Sequence, residues 1–363
     1  MTQQIAPQPG ILDVTPYVQG EAGTPGANRV VKLSANENPL GPSAAAQEAY
    51  RALSGELAVY PDGGHGALRR AIADLHGIDA DRIVCGAGSD EILSMLCQAY
   101  AGPGLEILHT EHGFAMYAIY GKIAGATPVV VPEDTRRTDV DAILAGVTER
   151  TRLVFLANPN NPTGTLIPDA EIERLADSLP PHVLLVMDGA YAEFVREPGY
   201  DGYASLVDRR DNVVMTRTFS KAYGLGGLRI GWAYCPAHVA DVLSRVRGPF
   251  NVTAAALAAA EAAVRDTAWT EHCVIQNEVW REWLARELRR AGIESDPSHA
   301  NFICARFPDP ATAKAADAAL RDRGLIVRDV SGYNLPGCLR ITVGDEAAVR
   351  AVADTLTRFM ASR

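Results

Sequence analysis

Seven short apolar runs, rich in β-branched residues, recur through the middle of the chain, and most are separated by segments with a helical pattern. Several runs, such as LVFLA at residues 153–157, are continuously hydrophobic rather than alternating. Continuous runs are typical of strands that helices cover on both faces, so the pattern predicts an α/β fold with an open, mostly parallel seven-stranded sheet. The predicted strands are 82–85, 105–109, 127–131, 152–157, 183–187, 212–216 and 229–234.

The pattern changes after Gly248 and Pro249. A long helical segment follows, which we expect to break near residues 266–269 and to end at Gly292. We therefore expect a large α/β domain over residues 46–252 and a smaller α+β domain with its linking helix over residues 253–363. The Pro-rich and Gly-rich residues 1–45 are predicted to form an N-terminal arm and part of the small domain. The predicted elements of the small domain are strands 301–306, 325–328 and 338–343 and helices 311–322 and 346–360.

Composition limits the classes of partner. The net charge is −10 and no basic block occurs, which argues against nucleic acid or an anionic membrane as a partner. No apolar run is long enough to cross a bilayer, and the first ten residues do not resemble a secretory signal peptide. The six cysteines lack metal-ligand spacing, so we expect no metal site. These features favour a cytoplasmic protein with small-molecule partners.

The residues that follow the predicted strands are the candidates for a site, because ligands of open α/β sheets lie beyond the carboxyl ends of the strands. The first strand leads into GAGSDE, which opens a helix whose free N–H groups and positive end favour a phosphate. The fourth strand leads into NPNNPTG, the fifth ends at the Asp of DGAY, and the sixth leads into SKAYGLGGLR.

Two charged residues in these loops suggest a particular chemistry. Asp188 ends a hydrophobic strand, where a carboxylate requires a cationic or hydrogen-bonding partner. Lys221 is one of only four lysines in the chain and follows a buried strand, where desolvation makes the amine a usable nucleophile. Considered alone, each residue has an ordinary interpretation. Asp188 would be half of a structural ion pair, and Lys221 would be a lysine whose charged end is in water. Together with the phosphate loop, Ser220 and Arg229, they provide the groups needed to bind pyridoxal 5′-phosphate.

The motifs also resemble those of a known family. Over nearly the whole chain the sequence is similar to fold type I pyridoxal-phosphate enzymes, specifically class II aminotransferases of the histidinol-phosphate aminotransferase type. The resemblance implies transamination of L-histidinol phosphate with 2-oxoglutarate, which gives imidazole-acetol phosphate and glutamate in histidine biosynthesis. The motifs that carry it, in chain order, are KLSANENPLGPS, YPDGGHGALR, GAGSDE, NPNNPTG, DGAYAEF, SKAYGLGGLRIGW and CLRITVG.

The resemblance implies a role toward the cofactor for each matching residue. Lys221 would bind the cofactor covalently and later carry protons, and Asp188 would pair with the pyridine nitrogen. Asn161 and Tyr191 would hydrogen-bond the phenolic oxygen of the ring. The remaining cofactor contacts would be Ser220, Arg229 and the backbone of Ala87, Gly88 and Ser89 at the phosphate, with Phe114 stacked on the ring.

Substrate contacts are implied in the same way. Arg340 of CLRITVG matches the arginine that grips the substrate carboxylate, a task that suits the guanidinium fork. Histidinol phosphate carries a phosphate ester in place of the α-carboxylate, so Arg340 would bind that phosphate in one half-reaction and the carboxylate of glutamate in the other. Further contacts are implied for Arg328, Tyr17 and Asn36. Tyr60 would reach the cofactor phosphate of a neighbouring subunit, which requires a homodimer.

Some features depart from the family pattern or leave alternatives open. Ala87 stands where asparagine is usual, His112-Gly113 where Pro-Thr is common, and Phe114 where tyrosine is frequent. An aromatic amino-acid aminotransferase shares nearly every motif, and phosphothreonine decarboxylase shares the cofactor site. We do not expect an aminotransferase-like transcription regulator or a nicotinamide dehydrogenase. Because Lys221 fills the role of base, the histidines near these loops are predicted to be surface or loop residues: His65, His109, His112 and His299.

Overall fold

The computed structural model describes residues 7–8, 10–16 and 30–363. The strands, in chain order, are β1 Val31–Lys32, β2 Ile83–Gly86, β3 Glu106–Thr110, β4 Thr127–Val131, β5 Glu133–Asp134, β6 Arg137–Thr138, β7 Thr151–Ala157, β8 Leu184–Asp188, β9 Val213–Thr218, β10 Gly231–Tyr234, β11 Glu294–Ser295, β12 Phe302–Arg306, β13 Leu325–Ile326, β14 Arg328–Asp329 and β15 Cys338–Thr342. The α-helices are α1 Ala44–Ala52, α2 Gly66–His76, α3 Ser89–Tyr100, α4 Met116–Ile123, α5 Val140–Gly146, α6 Asp169–Ser178, α7 Ala204–Arg209, α8 Ala237–Val246, α9 Ala254–Arg265, α10 Thr267–Arg290, α11 Pro310–Arg321 and α12 Glu346–Ala361.

A seven-stranded sheet with the order β2-β10-β9-β8-β7-β3-β4 forms the centre of the larger part of the molecule. The five strands from β9 to β4 pair in parallel, and β10 is antiparallel to both of its neighbours. All seven strands predicted from the apolar runs are present in this sheet. The mostly parallel seven-stranded sheet is therefore confirmed.

Helices cover both faces of this sheet, which explains the continuous hydrophobic runs. Along β8, Leu185 and Met187 belong to the core on the face that packs against α2, α6 and α9, while Leu184 and Val186 belong to the core on the face of α3, α4 and α8. Side chains of a strand alternate between the two faces of its sheet. Because both faces are buried, alternating polar residues would have no water to contact.

The smaller part contains an antiparallel sheet with the order β11-β12-β15-β14, packed against α10, α11 and α12. Its core includes Leu33, next to β1, and β1 pairs in parallel with β13. The segment that follows residue 30 is thus part of the C-terminal unit of the fold, although Val31 and its partner Leu325 lie near opposite ends of the chain. The boundaries at 45/46 and 252/253 remain predictions.

The predicted break in the linking helix lies at Asp266, between α9 and α10. The Asp266 carboxylate accepts a hydrogen bond from the Trp269 amide at 3.2 Å, which caps the new helix. The alanines of α9, such as Ala256 and Ala260, pack in the core of the large sheet, so the linking segment begins on the large part.

Across residues 7–8, 10–16 and 30–363, the structure contains no helix with the length and apolar character that a bilayer crossing requires. The expected cytoplasmic location remains a prediction.

Candidate active site

A cavity of about 400 Å³ opens where the carboxyl ends of β7, β8 and β9 meet the segment after β1 and the small sheet. Most of the predicted site residues line it, although they come from widely separated parts of the chain. Those residues are Asn36, Ser89, Phe114, Asn161, Asp188, Tyr191, Ser220, Lys221, Arg229 and Arg340.

The Lys221 amine lies inside this cavity. Its Nζ donates a hydrogen bond to the backbone oxygen of Ala35 at 3.1 Å and lies 5.8 Å from the centre of the Tyr191 ring. Burial, assisted by the positive charge of Arg340, lowers the pKa of Lys221 to about 8. The amine is therefore partly neutral near physiological pH, which is the state that a nucleophile or a base requires.

A labelling experiment tests this lowered pKa. In cofactor-free protein at pH 8, about half of the Lys221 amine should be neutral, against well under ~1% for an exposed lysine of ordinary pKa. We expect a small amine-acylating reagent to modify Lys221 faster than Lys314, which is exposed on α11, with a rate that rises with pH through a midpoint near 8. Peptide mapping by mass spectrometry measures both rates. A rate at Lys221 that shows no midpoint near pH 8 would contradict the lowered pKa.

Asp188 lies at the inner end of the cavity and is buried. It follows Leu184 and Val186 in the alternation of β8, so its side chain is on the face of α4, where Tyr117 donates a hydrogen bond to Oδ2 at 2.7 Å. The Thr216 hydroxyl and the Ala190 amide donate to Oδ1 at 3.3 and 3.2 Å. Burial nevertheless raises the pKa of Asp188. A cationic N–H donor in the cavity would stabilise its ionised form.

Tyr191 and Asn36 form a second polar contact in the cavity wall. The Asn36 side-chain amide donates to the Tyr191 hydroxyl at 2.8 Å. Thr342 of the small sheet holds Asn36 in place, since it accepts from the Asn36 backbone amide at 3.0 Å and donates to Asn36 Oδ1 at 3.1 Å. Asn36 has a φ of 56°, a left-handed conformation that asparagine tolerates. Burial raises the pKa of Tyr191 to about 12, so its hydroxyl keeps its proton and can donate it to a ligand.

The part of the cavity that Ser220 and Arg229 line is suited to an anion. Arg229 Nη1 donates to Ser220 Oγ at 3.2 Å and to the Gly226 backbone oxygen at 3.1 Å. A Cβ atom at Gly88 would lie only 2.4 Å from Arg229 Nη2, and the φ of 82° at this residue is one that favours glycine. Helix α3 begins at Ser89, directly beside the guanidinium. A guanidinium, a hydroxyl and a helix N-terminus at one position are donors that a phosphate requires.

The three predicted backbone ligands of the phosphate differ in position. The Ala87 amide donates to Glu91 Oε2 at 2.5 Å, and the Gly88 amide donates to the Gly86 oxygen at 2.8 Å. Neither residue lines the cavity, whereas Ser89 does, together with Asp90. The direct phosphate roles of Ala87 and Gly88 remain predictions, and in this structure both residues shape the loop.

Arg340 is buried in the cavity wall with its guanidinium fork partly engaged. Its Nη1 donates to Asn161 Oδ1 at 2.5 Å and its Nη2 donates to the Ser34 backbone oxygen at 2.7 Å. Its Nε has no hydrogen-bond partner among the described residues, a buried donor left for a ligand or for water. Arg328 pairs with Arg340 across β14 and β15, but it does not line the cavity.

A further predicted residue, Tyr60, lies outside this cavity. Tyr60 is 78% exposed, stacks on Phe250 with ring centres 4.8 Å apart, and does not line the cavity of its own chain. Tyr17 lies outside the described residues.

Some residues at the site were not identified from the sequence. Tyr117 and Thr216 hydrogen-bond Asp188, but the sequence analysis gave neither of them a role. Tyr117 lies three residues after Phe114, and the two rings are in edge-on contact. Lys32, Asp90, Tyr120 and Thr218 also line the cavity. Lys32 and Asp90 belong to two of the motifs, but the motifs did not indicate that these side chains line the cavity.

The four histidines near these loops were predicted to be surface or loop residues, and three of them lie in loops, whereas His109 is buried within β3. His65, His109 and His112 are buried, and His299 is half-buried. His112 Nδ1 lies 2.7 Å from the Tyr333 backbone oxygen, and His109 Nδ1 lies 2.9 Å from that of Thr110. None of the four lines the cavity, so they have structural surroundings rather than a place beside Lys221.

Comparisons with known proteins show the family to which the chain belongs. The family model described as "Aminotransferase class I and II" matches residues 28–356. A histidinol-phosphate aminotransferase of Ruegeria pomeroyi is 61% identical over 360 residues, and one of Dinoroseobacter shibae is 62% identical over 358 residues, each covering 99% of both chains.

Solved structures of aminotransferases have the same fold as this chain. A histidinol-phosphate aminotransferase of Sinorhizobium meliloti, solved in complex with pyridoxal-5′-phosphate, is 29% identical with a TM-score of 0.86 over 92% of this chain and 91% of that one. An aspartate aminotransferase of Thermus thermophilus, 23% identical, shares the fold with a TM-score of 0.79 over 91% of each chain. The chain is therefore an enzyme of the class I and II aminotransferase family, with the fold type I architecture and full-length similarity to histidinol-phosphate aminotransferases.

Proposed function

We propose that the cavity binds pyridoxal 5′-phosphate and that the enzyme transfers the amino group of L-histidinol phosphate to 2-oxoglutarate, giving imidazole-acetol phosphate and glutamate. The observation that carries this proposal is the convergence of Lys221, Asp188 and Arg340 on one cavity. The two bacterial relatives at 61% and 62% identity, both histidinol-phosphate aminotransferases, support this choice of substrate.

The residues present fit the cofactor. Arg229, Ser220 and the N-terminus of α3 suit its phosphate, and the buried Asp188 carboxylate suits a protonated ring nitrogen. Tyr191 and Asn161 present a hydroxyl and an amide to the space between these ends, with Phe114 beside them. Bound there, the cofactor would withdraw electrons from the carbon that carries the substrate amino group.

Lys221 is proposed as the group that moves the proton. A base works best when its pKa is near the operating pH, and burial lowers the pKa of Lys221 to about 8. Its Nζ would remove the proton from the amine-bearing carbon of the substrate and return a proton later in the same half-reaction. The hydrogen bond to the Ala35 oxygen holds this amine at the cavity wall.

Arg340 is proposed to hold the anionic end of both substrates. Asn161 Oδ1 and the Ser34 oxygen orient its guanidinium through two hydrogen bonds. A planar fork binds a carboxylate or a phosphate with similar geometry, so one residue could serve a phosphate ester in the first half-reaction and a dicarboxylate in the second.

A second copy of the chain is the proposed partner. Tyr60 and its neighbours Leu57 and Val59 are exposed at 78%, 85% and 71%, and the partly exposed Phe250 lies against Tyr60. Clustered exposed apolar side chains are typical of an interaction surface. This patch supports a homodimer in which Tyr60 completes the cofactor site of the other subunit.

The substrate choice is tested by titrating the purified holoenzyme with L-histidinol phosphate and, separately, with L-phenylalanine. We expect the visible absorbance of the cofactor to change at much lower concentrations of L-histidinol phosphate. A stronger response to L-phenylalanine would identify an aromatic amino-acid aminotransferase instead. Release of carbon dioxide from a phosphorylated amino acid would favour phosphothreonine decarboxylase, and the lack of any cofactor absorbance would contradict the proposed cofactor.

A further inference from the structure

Lys32 is a cavity residue to which the proposed mechanism gives no role. It ends β1, and the next residue, Leu33, is buried in the core of the small part. Because side chains of an extended segment alternate, Lys32 and Ser34 lie on the side opposite that core. Both line the cavity, on the side that Arg340 contacts.

In the structure Lys32 pairs with Glu37, whose Oε1 lies 2.7 Å from the lysine Nζ. The side chains are 33% and 54% exposed, and of the two only Lys32 lines the cavity, so the pair lies at the edge of the cavity. An ion pair with this exposure contributes little free energy and is easily exchanged for another partner. Although burial lowers the pKa of Lys221, the Glu37 charge acts on that amine in the opposite direction, which places the pair within electrostatic range of the reacting centre.

The position of Lys32 relative to Arg340 follows from the backbone. Arg340 Nη2 donates to the Ser34 oxygen at 2.7 Å, and Lys32 is two residues earlier, roughly 7 Å along an extended chain. The flexible four-carbon stem of lysine spans much of that distance. An anion held by Arg340 is therefore within range of a second cation on the same cavity wall.

We propose that Lys32 determines specificity for the phosphate end of the amino donor, acting as a second cation beside Arg340 and exchanging Glu37 for the phosphate. This inference depends on the proposed function and deepens it. A phosphate monoester carries a charge of about −1.5 to −2 at pH 7, whereas a single carboxylate carries about −1. One guanidinium balances the carboxylate at this end of the substrate, and Lys32 would balance the additional charge of the phosphate.

The test compares the holoenzyme with its Lys32→Gln variant in two half-reactions, one with L-histidinol phosphate and one with L-glutamate. We expect KM for L-histidinol phosphate to rise roughly tenfold with kcat nearly unchanged, as the loss of one charge-assisted hydrogen bond predicts. For L-glutamate we expect less than about a threefold change, because Arg340 continues to bind the carboxylate. An equal change for both donors would overturn the proposal.

Three further variants separate specificity from a general effect of charge. Lys314→Gln, an exposed site on α11, should leave both KM values unchanged. Lys32→Arg should restore most of the preference for the phosphate donor. Glu37→Gln should lower KM for L-histidinol phosphate or leave it unchanged, because the competing carboxylate is gone. A rise in this KM equal to that of Lys32→Gln would show that the ion pair is structural and would overturn the proposal.

Different results would reject this inference and the proposed function. If the unmodified holoenzyme does not convert L-histidinol phosphate, the proposed function is wrong. If it does convert it and Lys32→Gln keeps the same ratio of KM values for the two donors, only the role of Lys32 is wrong.

Discussion

Replacement of Lys221 by alanine is expected to abolish turnover and the visible absorbance of the lysine-bound cofactor together. Lys221 is the amine in the cavity whose pKa is lowered, to about 8, and the proposed function assigns to it both the covalent bond to the cofactor and the proton transfer. We expect the rate to fall by at least about 10⁴-fold. Steady-state kinetics and an absorbance spectrum of the purified variant measure the two losses.

The matched control for this variant is Lys314→Ala, which removes an exposed lysine from α11 and should leave rate and spectrum unchanged. Thermal unfolding of the cofactor-free proteins checks that the Lys221 variant is folded. Turnover retained in folded Lys221→Ala protein would contradict the assignment of this residue and, with it, the chemistry proposed for the cavity.

Replacement of Asp188 by asparagine is expected to leave the cofactor bound and to slow proton removal from the substrate by about 10²- to 10³-fold. The amide is nearly isosteric with the carboxylate and keeps the capacity to accept a hydrogen bond from Tyr117. It lacks the negative charge that would hold a proton on the ring nitrogen. The rate of exchange of the substrate α-proton with deuterated solvent measures the step directly.

Thr216→Val provides the control for the Asp188 variant. It removes the hydroxyl that lies 3.3 Å from Asp188 Oδ1 and keeps the carboxylate charge. We expect its exchange rate to stay within about tenfold of the unmodified enzyme, as for the loss of one ordinary hydrogen bond. If Asp188→Asn exchanges as fast as the unmodified enzyme, the ring nitrogen is not the partner of Asp188.

The anion end of the cavity shows how far a motif can predict geometry. GAGSDE and SKAYGLGGLR are separate in sequence, yet each predicts a local feature that the structure contains. GAGSDE opens a helix, which begins at Ser89, and SKAYGLGGLR carries Ser220 and Arg229 to the cavity. The motif did not predict that the Ala87 amide would bind the Glu91 side chain. That contact depends on the conformation of the whole loop, which a residue pattern does not specify.

The sequence by itself determined the strands of the large sheet and the edge of that sheet where the cavity lies. Continuous apolar runs identify strands buried on both faces, and parallel strands bring their carboxyl ends to one edge. Asp188 and Lys221 were therefore identifiable from their positions directly after such runs. Their chemistry follows from burial, which acts on each residue whatever its distant neighbours are.

Only the tertiary structure decided which groups contact one another across the cavity. Arg340 and the Ser34 oxygen that orients it are 306 residues apart, and Asn36 reaches Tyr191 across 155 residues. Tyr117 meets Asp188 because α4 packs on the face of β8 that carries the carboxylate. Such contacts depend on how the two parts of the chain pack together, because packing brings together side chains that no local periodicity relates.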